Sequence, residues 1–127
     1  MKSHCSIYFR SEHCDLESAI KSLERYRIKV TKDGEKLLVG RESSPEYQVV
    51  LNDDDSVHEE AKDISQGTEF FNDMKQCDTR FDVLIVDLDA ALEEINTLME
   101  VQGALQDASK GFLFLPWNGH ISRPWEG

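Results

Sequence analysis

The sequence has no long apolar run. No stretch approaches the roughly 18 consecutive apolar residues that a membrane span requires, and the opening MKSHCSIYFR has neither the apolar segment nor the small-residue cleavage site of a secretory signal. Both absences predict a soluble, unexported protein. Cysteine is scarce as well. Cys5, Cys14 and Cys77 are odd in number and have no CxxC spacing, which argues against a disulfide framework and suits a reducing, cytoplasmic setting. Basic residues are few: 14 Lys and Arg stand against 25 Asp and Glu, for a net charge of −11. A field of that sign repels nucleic acid and anionic membrane and attracts basic proteins and cations. Also missing is any GxSxG, HExxH, P-loop or GxGxxG stretch, so nothing in the chain names a reaction and no enzyme is expected.

What is present is the composition of one globular domain. At 127 residues, 39% hydrophobic and 9% aromatic, the chain is long and apolar enough to bury a core without staples. Cys5, Ile7 and Phe9 alternate with Ser6 and Tyr8, predicting a first strand. Leu16, Ala19, Ile20, Leu23 and Tyr26 then recur at helical spacing behind a capping Asp15, which predicts a helix over 16–25. Asp33-Gly34 between Ile28/Val30 and Leu37/Val39 reads as a tight hairpin, and after the Ser43-Ser44-Pro45 break EYQVVL reads as the next strand.

From Ser56 a helical face is offered by Val57, Ala61, Ile64, Phe71 and Met74, with Gly67 either a kink or a boundary between two helices. FDVLIVDL suits a central strand covered on both faces. A long helix is then predicted from a cap at Asp89 to Gly111, with Leu92, Ile95, Leu98, Met99 and Leu105 on the core side. FLFLP supplies a last strand, and residues 117–127 read as an irregular aromatic tail. The resulting expectation is a single α+β domain, 1–127, with a mostly antiparallel sheet of five to six strands and about three helices, loosely similar in topology to ferredoxin-like folds.

Two histidine–cysteine pairs, His4-Cys5 and His13-Cys14, look superficially like a zinc set. Neighbouring residues of a strand face opposite ways, so His4 and Cys5 are not expected to share an ion, and no metal or cofactor is expected. LNDDDSVHEE lacks the Asp-x-Asp-x-Asp-Gly loop of a calcium site. Asp55 or Ser56 is expected to cap the helix that follows, and acids in its first turn favour the dipole. One or two acids suffice for that. Asp53, Asp54, Asp55, Glu59, Glu60 and Asp63 are six acids within eleven residues, and their mutual repulsion makes them the first candidates for a surface that meets something basic. His58, His120, Asp87 and Asp89 form no recognisable catalytic set. Trp117 reads as a core residue and Trp125 as an exposed or docked one, both with the aromatic bulk that anchors interfaces.

The distribution of charge sharpens this. Residues 1–50 hold nine basic and eight acidic groups, whereas residues 51–127 hold five and seventeen. Such a half-acidic α+β domain without a catalytic motif, containing FDVLIVDLDAALEEINTLMEVQGALQDASKGFLFLPWNG, resembles the small bacterial immunity proteins encoded beside polymorphic or contact-dependent toxins. The resemblance is to the class, and no contact residue carries over from it. It implies a protein that binds and blocks a cognate toxin, often a basic nuclease whose nucleic-acid groove an acidic surface occupies. The competing expectation is a ligand-binding or regulatory domain with a pocket between sheet and helices.

Overall fold

The structure is a computed structural model that describes residues 3–42 and 44–124. Among these the chain runs β1 (Ser3–Phe9), a short 3-10 turn (Ser11–His13), α1 (Leu16–Arg25), β2 (Lys29–Asp33), β3 (Lys36–Gly40), β4 (Tyr47–Asn52), α2 (Ser56–Ser65), α3 (Phe71–Met74), β5 (Thr79–Ile85), α4 (Leu88–Glu93), α5 (Ile95–Ser109), β6 (Phe112–Leu115) and β7 (His120–Ser122). The fold is α+β. Its one sheet has seven strands, more than the five to six expected, in the order β2-β3-β4-β5-β1-β6-β7 with every pairing antiparallel.

Several elements form where local chemistry placed them. Asp15 accepts from the Ser18 amide at 2.9 Å and caps α1, while Gly34, at φ +63°, closes the β2–β3 hairpin in the left-handed region that glycine tolerates. Gly67, at φ +81°, separates α2 from α3 rather than kinking one helix.

The strand alternation sends the two faces of the sheet to different cores. One face carries Cys5, Ile7, Phe9, Val49, Phe81 and Val83 into the main core beneath α1, α4 and α5, where Phe9 and Phe81 stack with ring centroids 4.8 Å apart. On the other face Tyr8 and Ile121 meet Val57 and Ala61 of α2 and Met74 of α3 in a smaller cluster. β5 is therefore central in order but not uniformly covered: Phe81, Val83 and Ile85 are buried, while Leu84 is 39% exposed. The stretch FDVLIVDL looked continuous because Leu84, on an open part of the sheet, and Val86, just past the end of β5, are apolar residues left exposed.

The predicted long helix divides. Glu94 adopts φ −115°, ψ 56°, outside helical space, and splits it into α4 and α5. The first cap is Asp87, which accepts from the Ala90 amide, not Asp89. Glu94 caps α5 in turn by accepting from the Thr97 amide. The face is also rotated from expectation. Leu98, Val101, Ala104 and Leu105 are buried, whereas Leu92, Ile95 and Met99 are 46%, 37% and 47% exposed. What decides the face is α1, which packs along α5 so closely that the buried Ser22 hydroxyl donates to the Ala104 carbonyl at 2.7 Å.

Residues 120–122, expected to be irregular, form β7 against β6. Trp117 is partly buried and packs against the main core. Trp125 lies outside the described residues. Among the described residues no helix is long and apolar enough to cross a membrane.

Candidate acidic site

At one end of the sheet β4 runs out into Asp53, Asp54 and Asp55, and β5 begins beside them because β4 and β5 pair with Asn52 opposite Arg80. That register brings Asp78 to the aspartate run from 23 or more positions away. The four carboxylates, with Ser11, His58 and Thr79, surround an open basin of about 690 Å³ that no lysine or arginine among the described residues lines. Asp78 had not been expected here. The signal for it was not in LNDDDSVHEE but in the pairing register of two strands.

Each acid has its own role. Asp54 begins α2: its carboxylate accepts from the Ser56 amide at 2.9 Å, and its own amide donates to the Asn52 side chain at 3.0 Å. Asp55, expected to cap, makes no side-chain cap bond. These bonds to the Ser56 backbone and hydroxyl hold the Asp54 carboxyl below the usual carboxylate range. Partial burial pulls Asp78 upward, but donors from the Ser11 amide (2.8 Å), the Ser11 hydroxyl (3.0 Å) and the Thr79 hydroxyl (3.1 Å) outweigh it, so its pKa is lowered. Both carboxylates are thus lowered mainly by fixed backbone and hydroxyl dipoles, with Arg80 adding a smaller contribution at Asp54. His58 stands at the rim with Nε2 2.6 Å from the Lys75 carbonyl. A carbonyl only accepts, so Nε2 carries the proton.

Farther along α2 the acids separate. Asp63 is exposed, and Glu59 lies 3.6 Å from Lys62 in a surface pair. Glu60 turns inward, pairs with Arg80 and accepts from the Tyr8 hydroxyl at 3.3 Å. Arg80 also donates to Asp82 at 2.8 Å, and Asp82 accepts from the Ser6 hydroxyl at 2.8 Å. Burial opposes the Arg80 charge, but Asp82 and Glu60 more than offset it and hold it protonated. Glu60 therefore ties α2 to the sheet, and the acidic surface consists of Asp53, Asp54, Asp55 and Asp78, with Glu59 and Asp63 beyond.

No protein-family model, no curated protein and no solved structure shows significant similarity to this chain. Function must therefore be argued from the site. Among the described residues no three His, Cys, Asp or Glu side chains converge as metal ligands, so the basin's carboxylates surround an open surface rather than chelate a point. Nucleophilic groups are equally unprepared. Burial pushes the Cys5 and Cys77 thiols up to about 12 and the Cys14 thiol up to about 11, which keeps all three protonated at neutral pH. His4 is exposed while Cys5 is fully buried, as their opposite directions on β1 require. The arrangement is suited to attracting positive charge.

Proposed function

We propose that this chain is an immunity-type inhibitor that binds a cognate basic protein toxin, a nuclease in the reading the charge favours, and blocks it by covering its anion-binding surface. The single observation that supports this reading is the basin itself: four aspartates, three from one run and Asp78 from across the β4–β5 pairing, two of them with pKa values lowered by backbone and hydroxyl donors, with no lysine or arginine in the lining among the described residues. A protein that needed acids only for solubility would gain nothing by concentrating them against their own repulsion. Preorganised carboxylates give an approaching cationic surface a target that needs no rearrangement. The setting proposed for this activity is the cytoplasm, where a toxin-producing cell requires protection.

The test uses Asp53→Asn/Asp55→Asn, which leaves the Asp54 cap and the Glu60–Arg80 pair intact. The partner is first isolated by co-purification from native cells, and its association and dissociation are then measured at low and high salt. Wild type should associate more slowly as salt rises, and the double variant should associate more slowly at low salt with a flatter salt dependence. Unchanged kinetics in a folded variant would remove the basin from the interface. A partner without basic character or toxicity would remove the immunity reading altogether.

A further inference from the structure

The exposed stripe of Leu92, Ile95 and Met99 forms one wall of a groove of about 310 Å³, and Leu113, Leu115 and Trp117 form the other. It lies over the face of the sheet opposite α2, away from the acidic basin. Two glutamines line it one helical turn apart, Gln102 and Gln106, only 7% and 2% exposed. The amide nitrogen of Gln106 donates to the carbonyls of Gly111 and Ser122, each at 3.2 Å. Because both partners can only accept, the nitrogen is fixed on that side and Oε1 on the other. The Gln102 nitrogen reaches Cys5 Sγ at 3.4 Å. Neither Oε1 accepts a hydrogen bond from the described residues. Two amide acceptors without a donor among the described residues, on side chains that line an apolar groove, are open recognition elements.

A second feature is independent of the first. Gly103, in the middle of α5, also lines the groove, and a Cβ built there would meet only the Tyr26 hydroxyl, at 3.9 Å. No close approach or positive φ requires glycine at this position, although it weakens the helix relative to alanine. Its effect is to leave the groove open.

We propose that this groove binds a compact aromatic molecule of one or two fused rings carrying an N–H or O–H donor. The ring lies between Met99 and Ile95 on one side and Leu115 and Trp117 on the other, and the donor meets the amide oxygens of Gln102 and Gln106. The volume is at the small end of the range that ligand sites occupy, which suits a free small molecule better than a helix or an extended peptide. The site is separate from the proposed toxin surface and does not depend on it.

Indole and its donor-free isostere benzofuran are the probes, titrated into ¹⁵N-labelled protein. Saturable shifts confined to α5, β6 and the side-chain amides of Gln102 and Gln106 are expected with indole, and benzofuran should bind about tenfold more weakly, the loss of one hydrogen bond. Gly103→Leu fills the groove and should abolish the shifts. Gly103→Ala should raise the melting temperature, showing that the position tolerates a side chain, and weaken binding. No saturable shift at millimolar indole, equal affinity for the two probes, or unchanged binding to folded Gly103→Leu would each overturn the proposal. So would loss of toxin-partner binding in Met99→Glu, which would assign the groove to a protein interface.

Discussion

Replacing Arg80 with Met tests whether α2 is held to the sheet by charge as well as by packing. The Arg80 and Asp82 side chains are 17% and 18% exposed, and the Glu60 side chain is 44% exposed. Met keeps most of the apolar stem of arginine, so the change removes mainly the guanidinium. Breaking a buried ion pair from one side costs about 3–5 kcal/mol, because the other charge is left without compensation. Asp82 fits that description and, among the described residues, retains the Ser6 hydroxyl as its hydrogen-bond partner. Glu60 can turn to water, which reduces its share. The expected loss is about 2–4 kcal/mol, or roughly 10 °C in melting temperature for a domain of this size. Urea unfolding followed by circular dichroism gives the free energy. Adding Asp82→Asn to the Arg80→Met background should recover part of it, because the stranded charge is gone. A loss below about 0.5 kcal/mol, or no recovery in the double variant, would mean that the network is solvated and that α2 is held by Val57 and Ala61 alone.

Tyr47 is fully buried, yet its hydroxyl has no hydrogen-bond partner among the described residues. Such a group costs about 1–3 kcal/mol to bury, so Tyr47→Phe should unfold at equal or higher urea, and a loss above about 1 kcal/mol would reveal a partner for the hydroxyl. Alkaline stability follows from raised pKa values. Burial lifts Cys5 and Cys77 to about 12, and burial with the nearby Glu60 carboxylate lifts Tyr8 to about 12. These groups ionise in the unfolded chain first, so stability should be constant below about pH 9 and fall from there toward pH 12, by roughly 1.4 kcal/mol per pH unit for each group protonated only when folded. Flat stability from pH 8 to 11 would contradict their burial. Ile95→Asp should change stability by less than about 1 kcal/mol because Ile95 is exposed, whereas Leu98→Asp, three residues on, should unfold the domain. Equal effects in the two variants would return Ile95 to the core.

Local signals in the sequence were strong wherever a few residues settle the matter. The Asp15 cap, the Leu16–Arg25 helix and the Asp33-Gly34 turn depend on neighbours within four positions, and all three are present. The face of α5 was not decided locally. INTLMEVQGALQDAS has apolar or small residues on several sides, so periodicity alone left the choice open, and the small pair Ser22 and Ala104 drew α1 onto a side that the larger residues did not mark. The same holds for the break at Glu94, a good helix former that here leaves helical space and caps α5 through the Thr97 amide. β7 escaped notice because three residues between turns carry almost no periodic signal.

The acidic stretch shows how a charge excess divides between structure and function. Six acids in LNDDDSVHEEAKD looked equivalent because sequence records charge but not direction. The fold distinguishes them. One turn of helix separates Glu60, directed inward to Arg80, from the outward-facing Asp63, and the Asp54 carboxylate is committed to an amide that its neighbours Asp53 and Asp55 do not contact. Subtracting the structural acids leaves the central question intact, because Asp78 arrives across the β4–β5 pairing and restores the local excess of negative charge. Of the four around the basin, Asp54 is committed to the start of α2 and Asp78 to the Ser11 amide and hydroxyl; Asp53 and Asp55 serve neither, and that remainder is what a cationic partner would neutralise. Asp53→Asn/Asp55→Asn should therefore leave folding unchanged or slightly improved through relief of repulsion, while binding weakens. A variant that lost stability and binding together would show that these two aspartates are also part of the scaffold.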